Sequence, residues 1–85
     1  MIPFLRRTWA RVDLSRLSDN ARYIRGLLRP DCRMMAIVKA DAYGHGAVTC
    51  ARVLRDAGAD CFGVSNIEEA IELRRAGLTE PILII

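Results

Sequence analysis

With 85 residues, 52% of them hydrophobic and 27% charged, the chain has the composition of a soluble globular protein, which excludes a disordered segment. A chain of this size buries only about 60–65% of its unfolded surface, so it is not expected to build a complete, deep active site alone. The net charge of +3 comes from scattered arginines without a recognition motif, and no segment is long enough to span a bilayer, so neither a nucleic acid nor a membrane is an expected partner.

Three residue types limit the chemistry that the chain can carry. Of its 13 basic residues only Lys39 is lysine, so it is the one candidate for amine chemistry besides the N-terminus. Cys32, Cys50 and Cys61 form no C-x-x-C pair and are predicted to be small buried hydrophobes in a reducing compartment. A single histidine predicts no transition-metal site. The N-terminus lacks the apolar core of a secretory signal, and the expected location is the cytoplasm.

The first predicted elements are a strand and a helix. Thr8–Leu14 alternates polar and apolar residues, which is typical of a strand. A helix capped by Asp13 or Ser15 follows and is closed by Pro30. Its apolar residues recur at helical spacing, namely Leu14, Leu17, Ala21, Ile24 and Leu28.

From residue 34 onward, apolar runs alternate with helical patterns. Met34–Val38 is a continuous apolar run with the pattern of a strand buried on both faces. Cys61–Val64 is predicted to be a second buried strand, and Ile82–Ile85 a third apolar strand. A loop with two glycines, Lys39–Gly46, follows the first run, and a helix over Ala47–Ala57 comes next. A third helix begins with a capping box over residues 65–68 and stops at Gly77.

The β-α-β-α-β order predicts an α/β fold with parallel strands and helical crossovers. Doubly wound sheets and (β/α)₈ barrels both begin in this way, and the pattern does not separate them. A barrel needs about 250 residues, so the chain would supply roughly a third of one. Because it stops inside an apolar strand at Ile85, we expect it to be truncated at its C-terminus.

Lys39 follows the first apolar run, at the end of a strand where active sites of parallel α/β folds form. Alternation places Ile37 and Lys39 on one face of that strand, with Ala36 and Val38 on the other. If the Ile37 face lines a barrel, burial disfavours the charged ammonium and frees a lone pair for imine formation. A lysine that reaches from a strand end into solvent is the other reading of this position.

The segment Val38–Gly46, V-K-A-D-A-Y-G-H-G, resembles the cofactor-lysine segment of the alanine racemase family, V-K-A-(N/D)-A-Y-G-H-G, without a departure. Weaker similarity extends over nearly the whole chain. It includes Thr8–Leu14, Glu69-Ala70, Leu73-Arg74, Gly77 and Pro81–Leu83.

This resemblance to fold-type III pyridoxal-phosphate enzymes implies the N-terminal part of a (β/α)₈ TIM-type barrel over residues 15–85. It also implies a strand over residues 1–14 that packs with a C-terminal β-domain lying outside this chain. The implied activity is the interconversion of L- and D-alanine for peptidoglycan precursors by a homodimer. Lys39 would carry pyridoxal 5′-phosphate as a Schiff base and exchange the Cα proton on one face, and a tyrosine of the partner subunit would serve the other.

The motif also implies roles for the residues after Lys39. Tyr43 matches the family's phosphate-contacting tyrosine, and its hydroxyl would donate to a phosphate oxygen. His45 is expected to be a structural, hydrogen-bonded histidine, and Asp41 is expected to cap or brace the loop. Two alternatives remain open: a racemase of serine, lysine or several amino acids, and a non-catalytic truncated remnant. As a fragment, the chain is expected to be inactive by itself.

Overall fold

A computed structural model describes residues 13–44 and 46–85, which form a parallel sheet with helices. Its elements in chain order are α1 (Leu14–Leu27), β1 (Met35–Ile37), α2 (Lys39–Gly44), α3 (Ala47–Asp56), β2 (Cys61–Val64), α4 (Ile67–Arg75) and β3 (Ile82–Ile84). The predicted alternation of strands and helices after residue 32 is confirmed.

The predicted strand Thr8–Leu14 lies outside the described residues except for its last two, so the N-terminal strand over 1–14 stays a prediction. Those two residues belong to the start of α1. Asp13 is the N-cap of the helix, and its side chain accepts a hydrogen bond from the Arg16 N–H at 3.1 Å. This bond satisfies one of the amides that a helix leaves unpaired at its first turn. Of the two predicted caps, Asp13 is therefore confirmed.

The Asp60 carboxylate joins α1 to the sheet. Asp60, just before β2, accepts from the Arg25 guanidinium at 3.1 Å and from the Met34 N–H at 2.8 Å. Arg25 lies in the last turn of α1, and Met34 immediately precedes β1. Charge-assisted hydrogen bonds of this kind are stronger than neutral ones. They fix the position at which the chain enters the first strand.

The three strands are parallel and lie in the order β1-β2-β3. Ala36 is paired with Phe62, and Phe62 is paired with Ile82. Parallel neighbours require a crossover, which α2 and α3 supply before β2, and α4 supplies before β3. This order fits both architectures that the sequence left open.

The two faces of the sheet differ in what covers them. Around β1 and β2, the side chains that point towards the helices are buried, with exposures of 7% or less: Ala36, Val38, Phe62 and Val64. The opposite face is apolar but open, and it carries Met35, Ile37, Leu83 and Ile85 at 36–56% exposure. A Cβ on Gly63 would lie 2.7 Å from Ile37 Cδ1 and 3.1 Å from Met35 Sδ, so a larger residue there would force the ends of these side chains on the open face to shift. Lys39 follows β1 beside this open face.

Candidate active site

Lys39 is the first residue of α2, and strand pairing continues up to the residue before it. The Val38 N–H donates to the Gly63 carbonyl at 2.9 Å, and the Val38 side chain is only 1% exposed. Lys39 itself is half-buried, and Ile37, on the same face of the strand, is 42% exposed. The predicted placement of Lys39 at the carboxyl end of a parallel strand is confirmed. Its role in binding a cofactor stays a prediction.

The segment after Lys39 is not the irregular loop that the sequence predicted. It is a six-residue helical segment in which Ala40, Asp41 and Ala42 have φ values of 54°, 55° and 54°. We call these three residues the left-handed turn. A left-handed helical conformation costs an L-residue other than glycine about 1–2 kcal/mol, because Cβ approaches the following carbonyl oxygen. Such a turn persists only where surrounding contacts determine it, and conformations of this kind cluster at functional sites.

Asp41 provides one of those contacts. Its Oδ1 accepts a hydrogen bond from the Ala47 N–H at 2.8 Å, at the start of α3. The N-cap of that helix is Gly46, which has a φ of 89° and no side chain with which to cap. The Asp41 carbonyl also accepts from the Gly46 N–H at 3.0 Å. The expectation that Asp41 braces this segment is confirmed.

Replacing Asp41 by alanine in the full-length protein is expected to lower the free energy of unfolding by about 1 kcal/mol, because an N-terminal helix amide loses its partner. Asp41→Asn retains a carbonyl oxygen at the same place and is the matched control. It should stay close to the wild type in urea-induced unfolding. Equal destabilisation by both substitutions would contradict the capping role.

Glu69 provides the second contact, although no role was predicted for its side chain. Its Oε2 accepts from the Ala40 N–H at 2.6 Å, across 29 residues of sequence. Its Oε1 accepts from both the Ser65 N–H and the Ser65 hydroxyl, each at 2.6 Å. The carboxylate therefore joins the left-handed turn to the loop that follows β2.

The capping box predicted over residues 65–68 is wrong by one position. The N-cap of α4 is Asn66, whose side chain accepts from the Glu69 N–H at 2.9 Å. An Asn-x-x-Glu reading of residues 66–69 fits the same rule and would have identified Glu69. It would not have identified the bond to Ala40, because that bond depends on how two loops meet in space.

Hydrogen bonds favour the charged form of Glu69. The Ser65 hydroxyl, above all, and then the Ser65 N–H lower the pKa of this carboxyl, and the Ala40 and Asp41 amides add to the effect. Donors that stabilise an anion lower its pKa because protonation would remove an acceptor. Glu69 therefore acts as an anionic acceptor between the two loops.

The three cysteines do not share one environment. Cys50 in α3 is buried, Cys61 is partly buried and Cys32 is exposed, so the prediction of burial is wrong for Cys32. Burial raises the pKa of the Cys50 thiol, and the negative charge of Asp41 raises it further. A buried thiol with a raised pKa is a poor nucleophile. Cys50 is therefore a packing residue beneath the left-handed turn.

Two residues of the motif lie partly or wholly outside the described part of the chain. The backbone of Tyr43 belongs to α2, but its side chain lies outside that part, as does all of His45. Their predicted roles stay predictions. Within residues 13–44 and 46–85, no group of three or more His, Cys, Asp or Glu side chains could hold a metal ion. No helix in the same ranges is both long and apolar enough to cross a membrane.

Comparison with known proteins gives one family. Residues 12–85 match the family model described as alanine racemase, N-terminal domain. The chain is 50% identical to the alanine racemase of a Nostoc species over 82 residues, which are 96% of this chain and 21% of that protein. It is 47% identical to the alanine racemase of Geobacillus stearothermophilus over 85 residues, which are 100% of this chain and 22% of that protein.

Solved structures agree with the sequence comparison. The crystal structure of alanine racemase from Bacillus anthracis with bound L-Ala-P has a TM-score of 0.85 and 40% sequence identity, over 88% of this chain and 19% of that one. The chain thus spans about a fifth of the length of the relatives it matches. This likeness decides between the two open architectures, since the fold is that of the N-terminal part of the TIM barrel of alanine racemases. The chain belongs to the alanine racemase family, within its N-terminal domain.

Proposed function

We propose that the full-length protein containing this chain is a pyridoxal-phosphate-dependent alanine racemase, and that this chain supplies the lysine that binds the cofactor. The observation that carries the proposal is the position of Lys39. It is the only lysine of the chain, and it lies half-buried at the carboxyl end of a parallel strand, beside an open apolar face. Relatives that are about half identical to the chain carry the name alanine racemase, which supports alanine as the substrate.

The residues present fit pyridoxal phosphate by their chemistry. The cofactor's aldehyde requires a primary amine, and Lys39 supplies one where the fold places active sites. Ile37, which lies on the same face of the strand as Lys39, would offer apolar surface to an aromatic ring. Tyr43, four residues after Lys39, would contribute a hydroxyl to the phosphate. Lys39 and Tyr43 are therefore the residues of this chain that we assign to cofactor binding.

The contribution of this chain to the reaction is orientation and proton transfer. When bound, pyridoxal phosphate supplies an electron sink for the charge that develops at the substrate Cα. The Nζ atom of Lys39 would remove the Cα proton from one face of the substrate, or deliver it to that face in the reverse reaction, while a base outside this chain serves the opposite face. A general base must lie within hydrogen-bonding reach of the proton that it removes. The direction of the Lys39 side chain therefore determines how efficiently the Cα proton is transferred. We also propose that the full-length protein acts as a homodimer in the cytoplasm.

The test is chiral analysis of alanine. We expect the full-length protein, supplied with pyridoxal phosphate and L-alanine, to form D-alanine until both are equally abundant, because enantiomers have equal free energies in water. L-serine and L-lysine in parallel reactions test the alternative specificities. Faster racemisation of L-serine or L-lysine than of L-alanine would identify that amino acid as the substrate instead. The absence of any D-amino acid would support the non-catalytic remnant.

A further inference from the structure

The Glu69 carboxylate lies where two loops at the carboxyl ends of β1 and β2 meet. One oxygen holds Ser65, the first residue after β2, and the other holds the amide of Ala40, the residue after Lys39. All three donor-acceptor distances are 2.6 Å, at the short end for hydrogen bonds to an anion. Glu69 thereby links β2 to the peptide that carries the candidate cofactor lysine.

The bond to Ala40 acts directly on the backbone of Lys39. The N–H of Ala40 belongs to the peptide unit between Lys39 and Ala40, and fixing that N–H fixes the plane of the peptide. The plane in turn defines ψ of Lys39 and constrains φ of Ala40, which is 54°. The direction in which the Lys39 side chain leaves the backbone is thus coupled to the Glu69 carboxylate. The left-handed turn has three non-glycine residues and needs such an external contact.

Helix capping alone does not explain the side chain of Glu69. In a capping box the acidic side chain at this position bonds to the N–H of the cap residue, which would be Asn66. Here the carboxylate bonds to Ser65 and to Ala40 instead. Asn66 meanwhile caps the helix through the Glu69 N–H. The backbone of Glu69 belongs to the cap, and its side chain serves the neighbouring loop.

We propose that Glu69 is a positioning residue for Lys39: its carboxylate holds the left-handed turn against the loop after β2 and so presents the Lys39 amine to the cofactor and the substrate. The proposal rests on the proposed function, because it assigns to Lys39 the covalent and proton-transfer roles given above. Glu69 itself touches neither cofactor nor substrate in this account.

The test uses Glu69→Gln in the full-length protein, with Glu68→Gln as the matched control in the same helical turn. Glutamine keeps the size but replaces one acceptor oxygen by an NH₂ group, which cannot accept from an N–H. We expect kcat for alanine to fall on the order of tenfold to a hundredfold with KM unchanged, as for a misplaced catalytic group. Hydrogen exchange at the Ala40 amide should accelerate, and borohydride should fix pyridoxal phosphate onto Lys39 more slowly. Glu68→Gln should behave like the wild type in all three measurements.

A wild-type kcat and an unchanged rate of fixation in Glu69→Gln would overturn the proposal. The proposal would also be overturned if kcat and thermal stability both fell while hydrogen exchange at the Ala40 amide stayed unchanged. The loss of activity would then come from a general loss of structure. If Glu69→Gln does not fold, Ser65→Ala takes its place, since it removes only the hydroxyl donor. A smaller change in the same direction is expected, and no change would overturn the proposal. If the wild type itself fixes no cofactor on Lys39, the proposed function fails, and exchange at Ala40 still decides whether Glu69 holds the turn.

Discussion

Substitution of Lys39 by alanine in the full-length protein is expected to lower the rate of alanine racemisation on the order of a thousandfold or more. The substitution removes the only lysine amine in the chain, at the strand end where the fold places chemistry. It removes both the covalent attachment of the cofactor and the proton transfer that we assign to Nζ. The measurement is the rate at which D-alanine forms from L-alanine.

Two further arms separate a chemical effect from a structural one. Lys39→Arg keeps a cationic side chain of similar length, but its guanidinium stays protonated. We therefore expect this variant to be as inactive as Lys39→Ala. Methylamine added to Lys39→Ala supplies a small primary amine, and we expect partial recovery of the rate in that variant and none in Lys39→Arg. Full activity in either variant without added amine would show that Lys39 has no role in the reaction.

Substitution of Phe62 by alanine is expected to lower the free energy of unfolding by about 3–5 kcal/mol, the range for removing a fully buried aromatic ring. Phe62 is 0% exposed and lies in the central strand, paired with Ala36 on one side and Ile82 on the other. The check is urea-induced unfolding of the full-length protein, followed by circular dichroism.

Ile71→Ala is the matched control for Phe62→Ala. Ile71 is another large apolar residue, but it is 44% exposed on α4. Its substitution should change the free energy of unfolding by about 1 kcal/mol or less. A similar loss of stability in both variants would mean that Phe62 does not lie at the centre of the core.

The strands could be predicted from the sequence because their signal is local. Continuous apolar runs such as Cys61–Val64 are typical of the strands of parallel sheets, and the structure has β2 over the same residues. The predicted alternation of side chains between the two faces of the first strand is also confirmed: Ala36 and Val38 are buried, and Ile37 is exposed. Period-two alternation follows from backbone geometry alone and holds in any strand.

The left-handed turn could not be predicted because no local signal favours it. Ala40, Asp41 and Ala42 lie in a φ region that glycine usually occupies, while two glycines nearby suggested an ordinary loop. The conformation depends on contacts from elsewhere in the chain. The Asp41 carboxylate reaches α3, and the Glu69 carboxylate reaches back across 29 residues. Tertiary contacts override local preference here, as is typical of functional sites.

Glu69 was missed for a related reason. A glutamate near the start of a helix is ordinary, since carboxylates favour that end of the helix dipole. Nothing in the sequence distinguishes Glu69 from Glu68, since each lies three residues after a candidate N-cap, Asn66 or Ser65. The distinction appears only when β1 and β2 lie side by side and bring Ser65 and Ala40 to the same carboxylate.

Borohydride reduction of the full-length protein with bound pyridoxal phosphate, followed by peptide mapping, tests the assignment of Lys39 most directly. Reduction makes the bond between cofactor and amine permanent, so the labelled peptide reports which amine holds the cofactor. We expect the label on the peptide that contains Lys39, and on no other. A label on a different lysine, or none while cofactor is bound, would contradict it.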